Sequence, residues 1–521
     1  MLPMKNTLTS SVVPFKRFCG LMRRFRDDEE GGIIIFTLLL LITMLVVGGM
    51  AVDFMRFESR RVQLQSVSDR AVLSASDLSQ TIDSKVVVRD FFRSAGFEEY
   101  IVGEPIATNM AGTKTVRVDS QIDIDTIYLR LVGIDQLSAP AVSGAVEGTG
   151  NVEVSLVLDI SGSMGTWVSS AGKRRIDLLE EAATSFVEQV LDPEYEDQIS
   201  VSLVAYSAHV SAGEEIFRRM NTTPDTMYLK SDGTLMRVDS SEVAVDEITD
   251  VMTIDGERQV YTNPAHCIDF PDSHFSETGI RSSHTYQQAE HFQPDGSGTW
   301  ITSPTCPEED FQGIVALSQD VDLLTGVIED YEPTKTTSIH LGMKWGVALL
   351  DPSMRDILSA GVSSVDPIWR GIRPADYIAQ GAAVQTTKYI VLMTDGVNVS
   401  TRRVRPQYYN DFDLMRDWGT YRYGWWQNNM RRSGQPNGIS QATYQPHTVS
   451  EQDSLLQAAC DAAKDENIIV FSIAMGAPSE GQAEMRECAS SDAHYFETEG
   501  GALVEIFDQI ARQITELRLT L

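Results

Sequence analysis

The sequence predicts an α/β fold, a doubly wound and mostly parallel sheet with large insertions, preceded by an N-terminal transmembrane helix with its stalk and a small strand-rich spacer domain. Three observations predict it. From residue 151 onward, short β-branched and leucine runs alternate with helical patterns, the signature of a parallel sheet covered by helices. Residues 33–52 form a run of twenty residues without a charge. Residues 115–125, TVRVDSQIDID, alternate with period two, the mark of a half-buried strand.

Length and charge bound the rest. At 521 residues the chain has room for two or three domains. Its 42% hydrophobic and 22% charged content is that of globular protein. The net charge of −32 excludes nucleic acid as a partner, because its phosphates would be repelled. Acidity also favours solubility and retention of divalent cations, although most of the 74 acidic residues read as solvated surface.

The first thirty residues are a basic leader carrying Lys5, Lys16, Arg17, Arg23, Arg24 and Arg26. The apolar run that follows matches a bilayer core of about 30 Å, so residues 31–53 are read as a transmembrane helix. Positive charge upstream places the N-terminus in the cytoplasm and everything past residue 52 outside it. The run is long for a cleaved signal and no A-x-A site follows, so the anchor is retained. Over residues 54–84, Phe54, Phe57, Val62, Leu64, Val67, Val72 and Leu73 are interleaved with Arg, Gln, Ser and Asp, which predicts an amphipathic stalk helix. Residues 85–150 form the spacer, with further strands expected over 129–133 and 139–146.

The sheet domain occupies residues 151–521. The apolar run Val154 to Leu158 is a buried strand, and Asp159-Ile160-Ser161-Gly162-Ser163-Met164 follows it directly. The turn delivers one carboxylate and two hydroxyls, at alternate positions, to one point. Such hard-oxygen donors suit Mg²⁺ or another hard divalent ion, with Mn²⁺ and Ca²⁺ left open. The placement is where open α/β sheets bind ligands, although Asp and Ser are also common turn and cap residues. A helix is expected over 173–191, a strand over 199–206 and a helix over 310–331. The loop Thr336-Thr337-Ser338 offers a hydroxyl where it opens a helix over 338–350. A second buried run, Tyr389 to Met393, ends in Thr394-Asp395-Gly396. A helix over 454–467, a strand over 468–475 and a closing helix over 501–517 complete the pattern.

Residues 211–308, 352–387 and 397–450 are too long for simple connections and read as insertions. The third is locally basic and aromatic, with seven Arg against three Asp between Thr401 and Arg432. Two readings stand. Tyr421, Arg422, Tyr423, Trp425 and Trp426 present stacking faces and a guanidinium fork to a carboxylate-bearing or glycan partner. Alternatively, the aromatics form the insertion's own small core and the arginines pair with the acidic body.

Cys19 falls on the cytoplasmic side, while Cys267, Cys306, Cys460 and Cys488 fall beyond the membrane, consistent with an oxidising location. Four cysteines allow three pairings, and the absence of C-x-x-C spacing argues against zinc. His266 beside Cys267 could suggest a nucleophilic pair, but a disulfide explains the cysteine more simply. No enzyme motif is found. Ser161-Gly162-Ser163-Met164-Gly165 lacks the first glycine of a nucleophile elbow, and there is no P-loop and no H-E-x-x-H.

Together the strand ends resemble the von Willebrand factor A domain and its metal-ion-dependent adhesion site. That family's donor set carries over to Asp159, Ser161, Ser163, Thr337 and Asp395, with Thr334, Thr336 and Ser338 close to the fourth. The resemblance implies an ion held by few carboxylates, whose coordination a partner's acidic side chain completes. This is binding chemistry without turnover. The head of the chain resembles the anchors of TadE/TadG-like proteins of bacterial tight-adherence (Flp) pilus systems. The matching features are the basic leader, Glu30-Gly31, the apolar run, Ala51-Val52-Asp53 and RVQLQSVSDRA over 61–71. The ending IARQITELRLT over 510–520 is similar too, so both ends are covered and the central insertions are not.

The second resemblance implies a single-pass inner-membrane protein with a cytoplasmic N-terminus and its bulk periplasmic or extracellular. Its partner would be a pilus-assembly or cell-surface protein. It also implies a Cys460–Cys488 disulfide, leaving Cys267–Cys306 to staple the first insertion. Two further readings remain: an A-domain accessory or chaperone-like subunit of a membrane-associated complex, and a scaffold whose metal takes no ligand.

Overall fold

The computed structural model describes residues 31–77, 82–110, 113–148, 151–193, 196–359, 361–377 and 386–519. The basic leader and Cys19 lie outside the described residues. The chain divides into two compact units, Met1–Glu147 and Gly148–Leu521.

In the first unit, α1 (Gly31–Ser76) is one uninterrupted helix. From Ile33 it is long and apolar enough to cross a membrane. Its second half carries a one-sided stripe, Leu64, Ala71, Val72 and Ala75, at helical spacing. That stripe is buried together with Val88 and Phe92 of α2 (Ser84–Ala95). Both helices share a core with a three-stranded sheet ordered β1 (Ile106–Met110), β2 (Thr113–Asp125) and β3 (Gln136–Gly148), which contributes Val116, Val118 and Ala139. The stalk expected over 54–84 therefore ends at Ser76 and is half core. The spacer opens with a helix, because the Asp83 carboxylate accepts the amides of Lys85 and Val86 and starts α2.

The second unit is built on a mixed six-stranded sheet. Its central strand is β4 (Asn151–Asp159), flanked by β5 (Ile199–Tyr206) and, on the other side, β7 (Thr386–Thr394). Outside β5 lies β6 (Val315–Ser318), and outside β7 lie β8 (Ile469–Met475) and β9 (Tyr495–Thr498). Only β6 runs antiparallel to its neighbour. Side chains alternate across the strands. Leu156, Leu158, Leu203, Val391 and Ile473 share one core with α3 (Arg175–Val190), α4 (Val321–Glu329) and α8 (Leu503–Leu519).

α5 (Ile339–Ala348) lies against the sheet through two glycines one turn apart. A Cβ on Gly342 would lie 2.6 Å from the Tyr206 ring, and one on Gly346 would lie 2.4 Å from a Val157 methyl. No larger residue permits that approach. α6 (Val449–Asp465) packs on α5, and the Cys460–Cys488 disulfide ties it to α7 (Ser479–Cys488). The second disulfide, Cys267–Cys306, lies in the first insertion.

The single helix expected over 310–331 is instead a short turn, β6 and then α4. A four-residue apolar run fits either period, and the Asp320 cap starts the helix only afterwards. α7 and β9 were not anticipated, since one is polar and the other is a short edge strand. The first and third insertions share one small core, in which Met227 and Phe292 pack with Phe412, Met415, Trp418 and Trp426. The second insertion is held at the base of the sheet. Arg373 donates to the carbonyls of Val152 at 2.9 Å and Gln198 at 2.7 Å, and the Ala375 amide donates to the buried Glu153 carboxylate at 2.8 Å.

Glu290, in the first insertion, follows Ala289, which packs with the Cys267–Cys306 bridge. Burial, reinforced by Asp269 and opposed by Arg237, pushes its carboxyl up to about 7. A folded-state value above the unfolded one means that the folded protein holds the proton longer. Stability contributed by this group is therefore lost as pH rises from about 4.5 to about 7. Glu290→Gln removes that loss. The variant should equal the wild type near pH 4 and exceed it at pH 8 by on the order of 3 kcal/mol. Urea unfolding across this range checks it, and parallel pH profiles for the two proteins would refute it.

Candidate functional site

β4 and β7 are adjacent and parallel, with Leu158 opposite Met393, so their carboxyl ends emerge side by side. Asp159 ends one strand and Thr394-Asp395 ends the other. The buried Asp159 carboxylate accepts the Ser161 amide at 2.8 Å through Oδ1 and the Thr394 hydroxyl at 2.7 Å through Oδ2. Ile160 and Met164 are buried in the core and pin the turn between them.

A chain of hydroxyls crosses the site. Thr337 donates to the Ser161 hydroxyl at 2.9 Å, Ser161 and Ser163 lie 3.0 Å apart, and Ser163 donates to Asp395 Oδ1 at 2.6 Å. Its neighbours in the Thr337 loop face elsewhere. Thr336 meets Thr401 at 3.2 Å, Ser338 donates to the Ala208 carbonyl at 3.1 Å, and Thr334 meets Ser303 at 3.1 Å. The loops can abut because residue 162 is glycine. Its amide donates to the Lys335 carbonyl at 2.9 Å, and a Cβ there would lie 2.9 Å from the same oxygen. The five residues expected at the site thus converge.

Two contributors escaped sequence reasoning. One is the Thr394 hydroxyl described above. The other is Arg175, the first residue of α3. Its Nη1 lies 2.8 Å from Asp395 Oδ2, and its Nη2 donates to the Gly476 carbonyl at 3.2 Å. One signal could have found it: basic residues at 173–175 open a helix, where the helix dipole disfavours positive charge, so they need another partner. Burial, and secondly the charge of Asp395, push the Asp159 carboxyl up to about 7. Among the described residues no three His, Cys, Asp or Glu side chains converge as a metal-ligand group. The donors here are two carboxylates and three hydroxyls, an all-oxygen set of the kind hard divalent ions accept.

For Tyr423 and Trp426 the ligand-surface reading of the third insertion is corrected in favour of the second reading, a small core. Tyr423 and Trp426 are buried in the small core, edge-on or tilted to Trp418 and each other, so they face no partner. Arg422 donates to the Trp300 carbonyl at 2.8 Å, to the Ser297 carbonyl and to the Thr302 hydroxyl, which staples the first insertion. Tyr421 and Trp425 stay half-buried in a stacked ladder with Trp300, at ring separations of 5.0 and 4.9 Å.

Comparison with known proteins adds one family assignment, for one segment. Residues 31–77 match the family model for putative Flp pilus-assembly TadE/G-like proteins. No curated protein matches the chain. Similar solved structures include the vWF domain of the type V pili tip protein Mfa5 from Porphyromonas gingivalis, at 13% identity and TM-score 0.32, covering 71% of this chain and 96% of that one. The pilus adhesin SpaC from Lactobacillus rhamnosus GG, in its open conformation, gives 13% identity and TM-score 0.28, covering 80% of this chain but only 33% of SpaC. The PilB minor pilin from Streptococcus sanguinis gives 14% identity and TM-score 0.30, covering 79% of this chain and 77% of that one.

Arg175→Met should destabilise the second unit, because the fully buried Asp395 side chain loses its counter-charge. The expected loss is about 3 kcal/mol in urea unfolding without added divalent ions. An unchanged midpoint would show that the Ser163 hydroxyl alone suffices for Asp395.

Proposed function

We propose that this chain is a membrane-anchored component of a tight-adherence (Flp) pilus system that binds a protein or surface partner through a divalent cation. Asp159, Ser161, Ser163, Thr337 and Asp395 would hold the ion, in a doubly wound sheet of the von Willebrand A type. One observation carries the reading: side chains from three loops meet in a single hydrogen-bonded chain, one bond of which joins residues 232 apart in sequence. The helix from Ile33, the pilus-assembly match over residues 31–77 and two disulfides support a single-pass anchor with the bulk of the chain outside the cytoplasm.

The bound ion would supply an electrophilic centre for a partner's carboxylate. The chain's own residues set how electrophilic it stays. Arg175 balances Asp395, so only one of the two carboxylate charges is left for the ion. Thr394 and the Ser161 amide fix the Asp159 oxygens, which favours a rigid donor set over a flexible one. Mg²⁺ is the first choice on these grounds, ahead of Mn²⁺ and Ca²⁺.

Titration calorimetry of the three ions into the oxidised full chain in detergent tests the site. Saturable binding should vanish in Asp159→Ala, and Arg175→Met should bind several-fold more tightly, because a competing positive charge is gone. A folded wild type that binds none of the three ions would overturn the reading and leave a structural domain.

A further inference from the structure

The loop between β2 and β3 has a property that the pilus reading does not explain. Residues 127–134, IYLRLVGI, form one 3₁₀ turn (Leu129–Val132) closed by Gly133 in the left-handed conformation. Leu129 alone is turned inward. Leu131 is 72% exposed, Ile127 56% and Val132 54%, with Tyr128 and Ile134 also exposed. Apolar side chains held outward on a turn, with Leu131, Ile127 and Val132 more than half exposed among the described residues, mark an interaction surface.

The level of this turn is fixed relative to α1. Asp53 is the first charged side chain after the apolar run, and it is 2% exposed. Its carboxylate accepts the amides of Ile127 at 3.0 Å, Tyr128 at 2.7 Å and Leu129 at 2.8 Å. One helical turn earlier, inside the run, a Cβ on Gly49 would lie 2.3 Å from Cγ of Tyr128. The tyrosine therefore packs directly on the helix where only glycine leaves room. Two independent contacts thus hold the turn beside the last turn of the apolar run. At the same level α1 exposes Phe54 and Met55.

We propose that residues 127–134 form a wedge that enters the interfacial layer of the bilayer, so that the first unit grips the membrane by both helix and loop. The proposal rests on reading the helix from Ile33 as a membrane span. Its occupant is a lipid surface, because the turn is bonded to the span itself and a span placed in a bilayer carries the turn to the headgroup level. The side chains suit that layer. Tyr128 is a residue of the aromatic belt, the aliphatic tips would reach inward, and Arg130, exposed and paired with Asp135 at 3.2 Å, would lie at headgroup level. Two attachments would fix the rotation of the helix and seat the spacer sheet on the bilayer.

Full chain carrying Cys19→Ser, with its disulfides oxidised, is reconstituted into phosphatidylethanolamine–phosphatidylglycerol vesicles. Single environment-sensitive labels are placed through Leu131→Cys, Leu45→Cys in the span and Gln121→Cys on exposed β2. All three positions are exposed side chains, so folding is not at stake. The label at 131 should be blue-shifted and quenched by lipids doxyl-labelled near the headgroup, the label at 45 by lipids labelled deep in the chain, and the label at 121 by neither. Quenching at 45 with a water-like label at 131 overturns the wedge and leaves the anchor standing. Water-like emission at both overturns the anchor and the wedge with it.

Discussion

Two carboxylates brought together in a dry place organise the upper end of the second unit. Asp159 and Asp395 end neighbouring parallel strands, and both are buried. Desolvation, and secondly the charge of Asp395, disfavour the charged form of Asp159. Every contact around them reads as a response. An amide and a hydroxyl hold Asp159, while a hydroxyl and a guanidinium hold Asp395. The responses come from separate elements, so they constrain the fold: α3 must begin with an arginine here, and α5 must lie close enough to deliver Thr337. The second demand is met by Gly342 and Gly346, whose missing side chains bring the helix onto the sheet. Buried carboxylates held by such hydrogen bonds resist rearrangement, since a partial break leaves a charge unpaired.

What was legible in the sequence follows from range. Val154 to Leu158 and Tyr389 to Met393 announce themselves because strands buried on both faces read as continuous apolar runs. The donor residues at their ends are legible because turn chemistry is local. Thr337 could not be separated from Thr334, Thr336 and Ser338, since which hydroxyl faces Ser161 depends on where α5 docks. Arg175 stayed hidden for the same reason, its partner being 220 residues away. β6 was lost within an expected helix because four residues are too few to show a period.

The third insertion shows the limit of composition. Its aromatics left a ligand surface and a small core both open, because a hydrophobic side chain is covered or exposed according to what lies over it. Here the cover comes from the first insertion, whose Met227 and Phe292 complete the core around Trp418 and Trp426. The basic excess is largely used up within reach: Arg403 pairs with Asp269 at 3.2 Å, Arg416 with Asp417 at 2.9 Å, and Arg432 with Asp413 at 3.5 Å. What remains exposed is the edge of the Trp300 ladder. The two insertions are better regarded as one subdomain built from distant segments.

The sequence of α1 is divided in two along its axis. From Ile33 to Val47 it is apolar on every side, as a span requires. From Leu64 to Ala75 it is apolar on one side only, and that side is core. The helix is continuous between the two segments, and Asp53 lies between them. Like Asp159 it is a buried carboxylate, but its donors are all backbone amides. An aspartate at the end of an apolar run would ordinarily reach for water. Here three amides of the 127–129 turn take water's place, and the charge becomes the joint between the helix and the domain it carries.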